Sequence, residues 1–209
     1  MNNAEQSQKP YEPKMLKNLL TQNECRQIIH FHKTHHNLQT VGNGADYKGI
    51  RFLHIQTPWV RQLIGRVSLT LIGEIYKTQG KIVYPEMIAI NEWPVGAYQD
   101  PHLDTYSTQS EHLPNFDPNE KQREWTCILY LNDNFQDGQT YVPDGECYDP
   151  IEGAGLLFQG IYIVHGVHRV RRHPRHTISF WFSDTFKGMI LKNSQIGCLW
   201  KPLLTLQVA

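Results

Sequence analysis

The chain from Lys81 onward carries many short apolar segments, and this pattern limits the folds that it can adopt. The segments alternate with clusters of Gly, Pro, Asn and Asp, which favour turns. The strand candidates are residues 81–92, 97–103, 125–132, 139–143, 155–159, 162–170 and 175–183. Many short strands with turn signals favour an antiparallel sandwich or barrel over a parallel α/β sheet.

Two helices are predicted before these strands. Thr21 and Glu24 have the spacing of a capping box, which predicts a helix over residues 22–35. Thr57 followed by Pro58 predicts the N-cap and first residue of a second helix, which runs to about residue 78. Residues 50–55 between the helices are a further strand candidate. We expect the helices to support the outside of a sheet.

Histidines cluster at the end of the first predicted helix. His32 and His36 are four residues apart, a spacing that allows two ligands on one helix face, but no carboxylate lies between them. Cationic side chains also suit the negative C-terminal end of a helix dipole. We therefore expect a solvated helix end there rather than a metal site.

Composition and length exclude several classes of protein. The 209 residues predict one domain, and the 20 basic residues equal the 20 acidic ones, so neither a nucleic acid nor an acidic membrane surface is expected as a partner. No apolar run reaches the length of a membrane helix, and no signal peptide pattern precedes the domain. Scattered cysteines indicate a cytoplasmic protein with reduced thiols. They are Cys25, Cys127, Cys147 and Cys198.

The domain organisation follows from these patterns. Residues 1–14 are predicted to be a flexible tail, and residues 15–186 one domain with helical support over 15–80 and a β core over 81–186. Residues 187–209 are an apolar extension that packs on the core or on a second copy of the chain. A monomer and a homodimer therefore both remain open.

A His-x-Asp pair is the main chemical signal. His102 and Asp104 are two residues apart, so on a strand both side chains point to the same face. A distant second imidazole would complete a set of two histidines and one carboxylate, the facial triad of non-haem Fe(II) oxygenases. The candidates for this third ligand are His165, His168, His173 and His176.

Arg175 opens a strand whose two faces differ in character. Arg175, Thr177, Ser179 and Trp181 alternate along one face and predict a polar pocket wall. The guanidinium of Arg175 can hold a carboxylate through two hydrogen bonds. The opposite face carries one histidine and three apolar side chains, and it suits packing against helices. That face consists of His176, Ile178, Phe180 and Phe182.

Several segments together resemble 2-oxoglutarate- and Fe(II)-dependent dioxygenases, and they are most similar to the prolyl 4-hydroxylase family. They occur in the family's order and are Leu19–Cys25, Tyr98–Asp104, Arg123–Asn132, Asp137–Pro143 and His165–Trp181. The resemblance implies a mainly β (α+β) fold. Its core would be a double-stranded β-helix of the jelly-roll or cupin-like type, backed by the N-terminal helices.

The resemblance also implies roles for individual residues. His102, Asp104 and His165 match the metal ligands; His165 lies ten residues before Arg175 and precedes Gly166-Val167, as the family requires. The residues that match the 2-oxoglutarate site are Arg175, Tyr130, Ser179, Thr126 and Trp181. Substrate-side candidates are Trp93, Tyr98 and Arg123. Tyr98 departs from the family by preceding His102 by four residues instead of three, and Gln139 replaces the family's acidic residue.

The implied activity is hydroxylation of a C–H bond with Fe(II), 2-oxoglutarate and O2, stimulated by ascorbate, with release of succinate and CO2. The carboxylate Asp104 favours hydroxylation, since related halogenases carry a small residue there. The expected substrate is a prolyl residue in a protein or peptide, with residues 105–122 as a covering lid. Hydroxylation of a free amino acid or small metabolite is an alternative, and a non-catalytic cupin-like binding protein is another.

Overall fold

The computed structural model describes residues 11–41, 47–105, 123–143 and 145–184. The helices of this part are α1 (Gln22–Thr34) and α2 (Pro58–Gln79). The strands are β1 (Lys14–Leu16), β2 (Thr40–Val41), β3 (Lys48–Arg51), β4 (Tyr84–Trp93), β5 (Gln99–His102), β6 (Trp125–Tyr130), β7 (Gln136–Asp137), β8 (Thr140–Tyr141), β9 (Cys147–Tyr148), β10 (Gly155–Phe158), β11 (His165–Val167), β12 (Val170–Arg171) and β13 (Arg175–Ser183).

The strands form antiparallel sheets, as the pattern of short segments predicts. The largest sheet has seven strands in the order β1-β10-β6-β13-β4-β3-β2. A four-stranded sheet has the order β5-β11-β8-β9, and β12 pairs with β7 separately. Strand β13 lies at the centre of the large sheet and pairs with both β4 and β6. Its side chains therefore have neighbours on both sides, which fixes their positions.

The helices and the large sheet share one apolar core. Apolar side chains of both helices are buried together with Ile178, Phe180 and Phe182 of β13. These three side chains have no exposed surface, and burying one side chain of this size stabilises the fold by about 1.5–3 kcal/mol. The predicted packing of this face of β13 is confirmed, and the opposite face is left for a cavity.

The boundaries of the helices agree closely with the sequence. In α1, the Thr21 side chain accepts from the Glu24 backbone, while the Glu24 carboxylate accepts from the Thr21 backbone, as a capping box requires. Helix α2 begins at Pro58, as predicted, but the Thr57 side chain makes no capping hydrogen bond. The Thr57 carbonyl instead accepts from the Arg61 N–H, at 3.1 Å.

Two predictions for the N-terminal part were wrong. The predicted strand over residues 50–55 ends at Arg51, and a 3₁₀ turn follows over Phe52–His54. Phe52 and Ile55 are both buried, and three-residue spacing suits a helical turn better than a strand. Residues 15–80 also provide more than helical support, because β1, β2 and β3 lie at the two edges of the large sheet.

The histidines at the end of α1 also differ from the prediction of a solvated helix end. His32 has no exposed surface, and its Nε2 atom lies 3.0 Å from the carbonyl oxygen of Lys48. Its Nδ1 atom lies 4.0 Å from the carboxylate of Glu92, which also contacts His176 Nε2 at 3.1 Å. His32 is buried because Glu92 on β4 and His176 on β13 form a polar patch on the outer face of the large sheet, and this patch packs against α1.

Some predictions fall outside the described residues. These are most of the tail before residue 11, the lid proposed for residues 105–122 beyond Thr105, and the extension over residues 187–209. Within the described ranges, neither helix combines the length and hydropathy that a membrane-spanning helix requires.

Candidate metal centre

His102, Asp104 and His165 lie together at one end of the four-stranded sheet. His102 ends β5, His165 begins β11, and the two are direct partners in this antiparallel pair. The Asp104 carboxylate lies 3.8 Å from His102 Nε2 and 3.6 Å from His165 Nε2. Ligands bound to one ion at about 2.1 Å lie about 3–4 Å apart. These three side chains can therefore hold a single metal ion.

Backbone carbonyl groups orient both imidazole rings. His102 Nδ1 lies 2.9 Å from the Asp100 oxygen, and His165 Nδ1 lies 3.1 Å from the Ile163 oxygen. A carbonyl accepts, so each Nδ1 atom carries the hydrogen and each Nε2 atom presents its lone pair to the shared space. Burial also lowers the pKa of His165 below its ordinary value, although Asp104 opposes this shift. His165 is therefore neutral at pH 7, as a metal ligand must be.

The Asp104 carboxylate is held ionised and fixed in position. Burial favours its protonated form, but His165, His102 and a hydrogen bond from Thr126 together lower its pKa below the ordinary value. Thr126 Oγ1 donates to Asp104 Oδ2 at 2.5 Å. Gly160 leaves room for this contact, because a Cβ there would lie 2.7 Å from Asp104 Oδ2 and would also clash with Thr126 Oγ1.

A cavity of about 690 Å³ joins this cluster to the inner face of the large sheet. Its walls include the three candidate metal ligands and, from the polar face of β13, Arg175, Ser179 and Trp181; Thr177, which was predicted with them, is buried but does not line the cavity. Of the predicted site residues, those lining it are His102, Asp104, His165, Arg175, Ser179, Trp181, Trp93 and Arg123. The sequence prediction that β13 supplies a polar pocket wall is thus consistent with the fold.

Arg175 is a buried cation in the wall of this cavity. Its side chain is 1% exposed, and its guanidinium lies 5.3 Å from the ring of Trp93 and 5.4 Å from that of Tyr130. Thr140 Oγ1 accepts from Arg175 Nη2 at 3.2 Å and from the Tyr130 hydroxyl at 2.9 Å. Burial lowers the pKa of Arg175, but a guanidinium stays charged at neutral pH.

No carboxylate among the described residues pairs with Arg175, and its Nε atom has no hydrogen-bond partner there. A buried charge without a partner is unfavourable, so this end of the cavity is suited to an anionic ligand. The residues present therefore fit both groups that the resemblance implies: an Fe(II) ion at two imidazoles and a carboxylate, and a dicarboxylate whose distal end reaches Arg175.

The structure places other predicted residues differently. Thr126 contacts Asp104 instead of the Arg175 end, whereas Tyr130 contacts Thr140 beside Arg175. Arg123 lies in the cavity wall, where its Nε donates to Glu86 at 3.1 Å and its guanidinium lies 4.9 Å from the Trp181 ring.

Tyr98 does not line the cavity. It is 42% exposed, and the Arg169 guanidinium lies 4.3 Å from its ring. The next residue, Gln99, lines the cavity instead, as alternation along an extended segment explains. The structure therefore gives Tyr98 no place on the substrate side.

The rival histidines also lie elsewhere. His168 stacks on Tyr141 with ring centroids 4.2 Å apart, His173 is exposed, and His176 faces Glu92 on the outer side of the sheet. Within the described ranges, the only cluster of three side chains suited to a metal is the one that contains His165.

Thr140 and Asn91 are two of the cavity residues that the sequence reasoning missed. Thr140 follows Gln139, whose amide donates to Asp149 at 3.4 Å, while the Thr140 hydroxyl accepts from Arg175. Asn91 lies two residues before Trp93 on β4, and it lines the same cavity. Counting back by two from Trp93 along the strand would have indicated Asn91.

Comparisons with known proteins agree with this geometry. The sequence model of the 2OG-Fe(II) oxygenase superfamily matches residues 88–183, which include every candidate metal ligand and Arg175. A protein of Acanthamoeba polyphaga mimivirus named "Putative prolyl 4-hydroxylase" is 25% identical over 188 residues, which cover 84% of this chain and 76% of that protein.

Two solved structures show the same fold. The viral collagen prolyl hydroxylase of Paramecium Bursaria Chlorella virus-1, in complex with 2OG, matches with a TM-score of 0.64 and 15% identity, over 82% of this chain and 96% of that one. HygX of Streptomyces hygroscopicus, with nickel, 2-oxoglutarate and hygromycin B bound, has a TM-score of 0.60 and 15% identity, over 84% of both chains. The predicted double-stranded β-helix fold is confirmed.

The matched segment, the related sequence and the shared fold lead to one conclusion. Over residues 88–183 this chain resembles the 2OG-Fe(II) oxygenase superfamily, an oxidoreductase family, and among its relatives it is similar to proteins named as prolyl hydroxylases.

Proposed function

We propose that the chain hydroxylates a prolyl residue in a protein or peptide, with Fe(II), 2-oxoglutarate and O2, and releases succinate and CO2. One observation carries the proposal: a cluster of two imidazoles and a carboxylate shares a cavity with a buried arginine that has no carboxylate partner among the described residues. The first feature suits Fe(II), and the second suits the distal carboxylate of 2-oxoglutarate.

In this proposal each group of the reaction has a defined place. His102, Asp104 and His165 would hold Fe(II) and leave positions open for the cosubstrate and O2. Arg175 would bind the C5 carboxylate, with Tyr130 and Ser179 close by. Bound Fe(II) and 2-oxoglutarate supply the oxidative chemistry, in which O2 is reduced, the oxo acid loses CO2, and a C–H bond becomes C–OH.

The protein's own residues provide orientation and a dry site. Thr126 holds one oxygen of Asp104, so the carboxylate has one orientation toward the ion. Phe158 packs its ring edge-on against His165, with centroids 4.6 Å apart, and this restricts rotation of the imidazole. Trp93 and Tyr130 flank the guanidinium of Arg175 and keep water from a bound carboxylate.

A peptide substrate is supported by the shape of the cavity and by the relatives. The cavity wall extends to Thr40, Val41 and Arg51, which are exposed at the β2–β3 edge of the large sheet. Among the described residues, the cavity therefore reaches the surface at this edge, as the entry of an extended chain requires. The mimivirus relative and the chlorella virus enzyme are both named as prolyl hydroxylases. We further propose that ascorbate sustains turnover.

Hydroxylation of a small molecule is the second candidate. HygX, with hygromycin B in its structure, matches this fold almost as well as the prolyl hydroxylase does. The fold alone therefore does not select between peptides and small molecules.

The test is mass spectrometry of candidate substrates after incubation with the enzyme, Fe(II), 2-oxoglutarate, ascorbate and air. Proline-containing peptides, free amino acids and aminoglycosides are compared, with Asp104→Ala as the inactive control. A gain of one oxygen on a peptide proline supports the proposal, and oxygen on a small molecule alone supports the second candidate. If metal-loaded protein produces no succinate with any of them, the non-catalytic binding protein becomes the better account.

A further inference from the structure

Three arginines line the described part of the cavity, and one of them has no role in the account so far. Arg175 is the proposed partner of the distal carboxylate of 2-oxoglutarate, and Arg123 donates to Glu86. The third is Arg51, the last residue of β3, whose guanidinium has no ion pair with any described residue. A cation that faces a ligand cavity without an anionic partner of its own is suited to an anionic group of the ligand.

Strand alternation turns the Arg51 side chain toward the cavity. Its neighbour Ile50 points to the other face of the sheet, where it is fully buried in the core shared with the helices. Arg51 lies opposite Ala89 of β4, which in turn lies opposite Ser179 of β13, and both of these residues line the cavity. Because the Ala89 side chain is short, it leaves the guanidinium an open path toward the middle of the cavity.

His54 adds a second donor to the same wall. A 3₁₀ turn over Phe52–His54 follows Arg51 directly, and side chains three residues apart in such a turn lie on one side. Phe52 is buried, which holds the turn in place, whereas Arg51 and His54 are exposed at the opening and line the cavity. A carboxylate at this point can therefore accept hydrogen bonds from both side chains.

The part of the wall that β5 forms carries negative charge instead. β5 and the residues that follow it contribute Asp100 and Asp104, and no other carboxylate lines the cavity within the described ranges. Asp104 belongs to the metal cluster, whereas Asp100 is exposed at the opening. An anionic substrate group is therefore repelled by Asp100 on the β5 side and attracted to Arg51 on the β3 side.

The strand register gives the distance between Arg51 and the metal cluster. Arg51 and Ser179 lie two strand spacings apart, which is about 10 Å between their Cα atoms. Trp181, two residues after Ser179, lies opposite Thr126, the residue that holds Asp104. An extended chain advances about 3.3 Å per residue, so about three residues separate a group bound at Arg51 from one beside the metal cluster.

We propose that Arg51 is a specificity-determining residue, which binds a carboxylate of the prime substrate with His54 as a second donor. The substrate class is then an acidic prolyl peptide, with a carboxylate about three residues from the proline that is hydroxylated. This carboxylate is either an acidic side chain or the C-terminus of the peptide. The inference rests on the proposed function, since it takes a prolyl peptide as the molecule that lies along β3.

The test is fluorescence anisotropy of labelled peptides with the full chain, saturated with 2-oxoglutarate and with Mn(II) as a redox-inert metal. Each peptide has one central proline and blocked ends, and it carries either Asp or Lys at one of the four positions on each side. A further peptide has a free C-terminus as its only carboxylate. The variants are Arg51→Glu, Arg51→Gln and the matched control Arg26→Glu, because Arg26 is exposed on α1 and does not line the cavity.

We expect the wild type to bind the best Asp peptide about tenfold more tightly than the Lys peptide of the same position. A partly exposed charge pair contributes up to about fivefold in affinity, and a like-charge pair costs a similar factor. Arg51→Glu should reverse the order of the two peptides, and Arg51→Gln should bind them with affinities within about twofold of each other. Arg26→Glu should keep the wild-type preference, and added salt should reduce that preference.

The remaining outcomes separate this inference from the proposed function. Equal affinities of the wild type for Asp and Lys peptides at every position overturn the inference alone, unless the free C-terminus binds more tightly through Arg51, which assigns the carboxylate to the chain end. A preference that Arg51→Glu leaves unchanged also overturns it. Circular dichroism establishes that the variants are folded, and if Arg51→Glu does not fold, Arg51→Gln decides by loss of the preference. If 2-oxoglutarate binds but no prolyl peptide does, the proposed peptide function fails together with the inference.

Discussion

His165 lies directly opposite His102 in the antiparallel pair of β11 and β5, and their ring centroids are 4.4 Å apart. Direct partners on one face of such a pair have Cβ atoms about 4.5–5.5 Å apart, which brings both Nε2 atoms within reach of one ion. Asp104, two residues beyond His102, then supplies the third ligand. Residues about sixty positions apart in sequence are therefore joined by strand pairing alone.

Thr126→Val should weaken metal binding without reaching the oxo acid end of the cavity. Removal of the hydrogen bond to Asp104 leaves the carboxylate free to rotate, and loss of such support typically costs about 10–100-fold in metal affinity. Thr140→Val is the matched change at the other end, where the hydroxyl contacts Arg175 and Tyr130. It should preserve Mn(II) affinity and weaken 2-oxoglutarate binding at saturating metal. If both variants weakened Mn(II) binding and 2-oxoglutarate binding equally, the metal end and the Arg175 end of the cavity would not be separate sites.

Arg175→Met should abolish oxo acid binding and leave the free protein at least as stable. Breaking a buried charge pair costs a complex about 100-fold or more in affinity. The free protein, by contrast, loses a buried charge that has no carboxylate partner among the described residues. Denaturant unfolding without ligand and calorimetry with 2-oxoglutarate measure the two effects. A large loss of stability in the free variant would indicate that Arg175 has a structural partner instead.

Gly160→Ala should disrupt the metal centre specifically. A methyl group there would clash with Thr126 Oγ1 and would lie 2.7 Å from Asp104 Oδ2, closer than nonbonded atoms approach. Either the Asp104 carboxylate or the loop must move, so we expect Mn(II) affinity to fall by about tenfold or more. Gly73→Ala on α2 is a matched control, since a Cβ there meets no atom within 4 Å. Unchanged metal affinity in Gly160→Ala would show that the carboxylate is not held where the structure puts it.

The buried histidines beside Glu92 should make the fold sensitive to acid. Burial lowers the pKa of both His32 and His176, although Glu92 opposes the shift in each case. The unfolded chain therefore binds more protons, so the free energy of unfolding should fall as the pH drops below about 6.5, the ordinary histidine value. Denaturant unfolding between pH 8 and pH 5.5 measures this slope. His176→Gln should reduce this dependence of the free energy of unfolding on pH. A free energy of unfolding that rises as the pH is lowered would contradict the account.

Local patterns predicted much of this fold. The capping box fixed the start of α1, proline fixed that of α2, and alternation along β13 separated a core face from a cavity face. The ligand pair His102 and Asp104 followed from the same two-residue period. These features depend on neighbours in sequence, which is why they can be predicted without a structure.

Features that depend on distant packing were not predicted. His32 looked like a solvated residue, since nothing near it in sequence indicates that the carbonyl of Lys48 and the carboxylate of Glu92 cover it. Tyr98 was placed on the substrate side from family resemblance, whereas strand geometry gives that position to Gln99. Asn91 was overlooked because its hydrogen bond joins it to Ser179, which lies on another strand.

The most direct test of the account is whether metal and 2-oxoglutarate bind at one shared site. Calorimetric titration of 2-oxoglutarate into the wild type, with and without saturating Mn(II), measures this coupling. We predict one oxo acid per chain and an affinity at least about tenfold higher with metal, because the ligand would then contact both the ion and Arg175. In Asp104→Ala, added metal should no longer raise the affinity. If the wild type binds 2-oxoglutarate with the same affinity with and without Mn(II), the two ligands do not share a site and the account is contradicted.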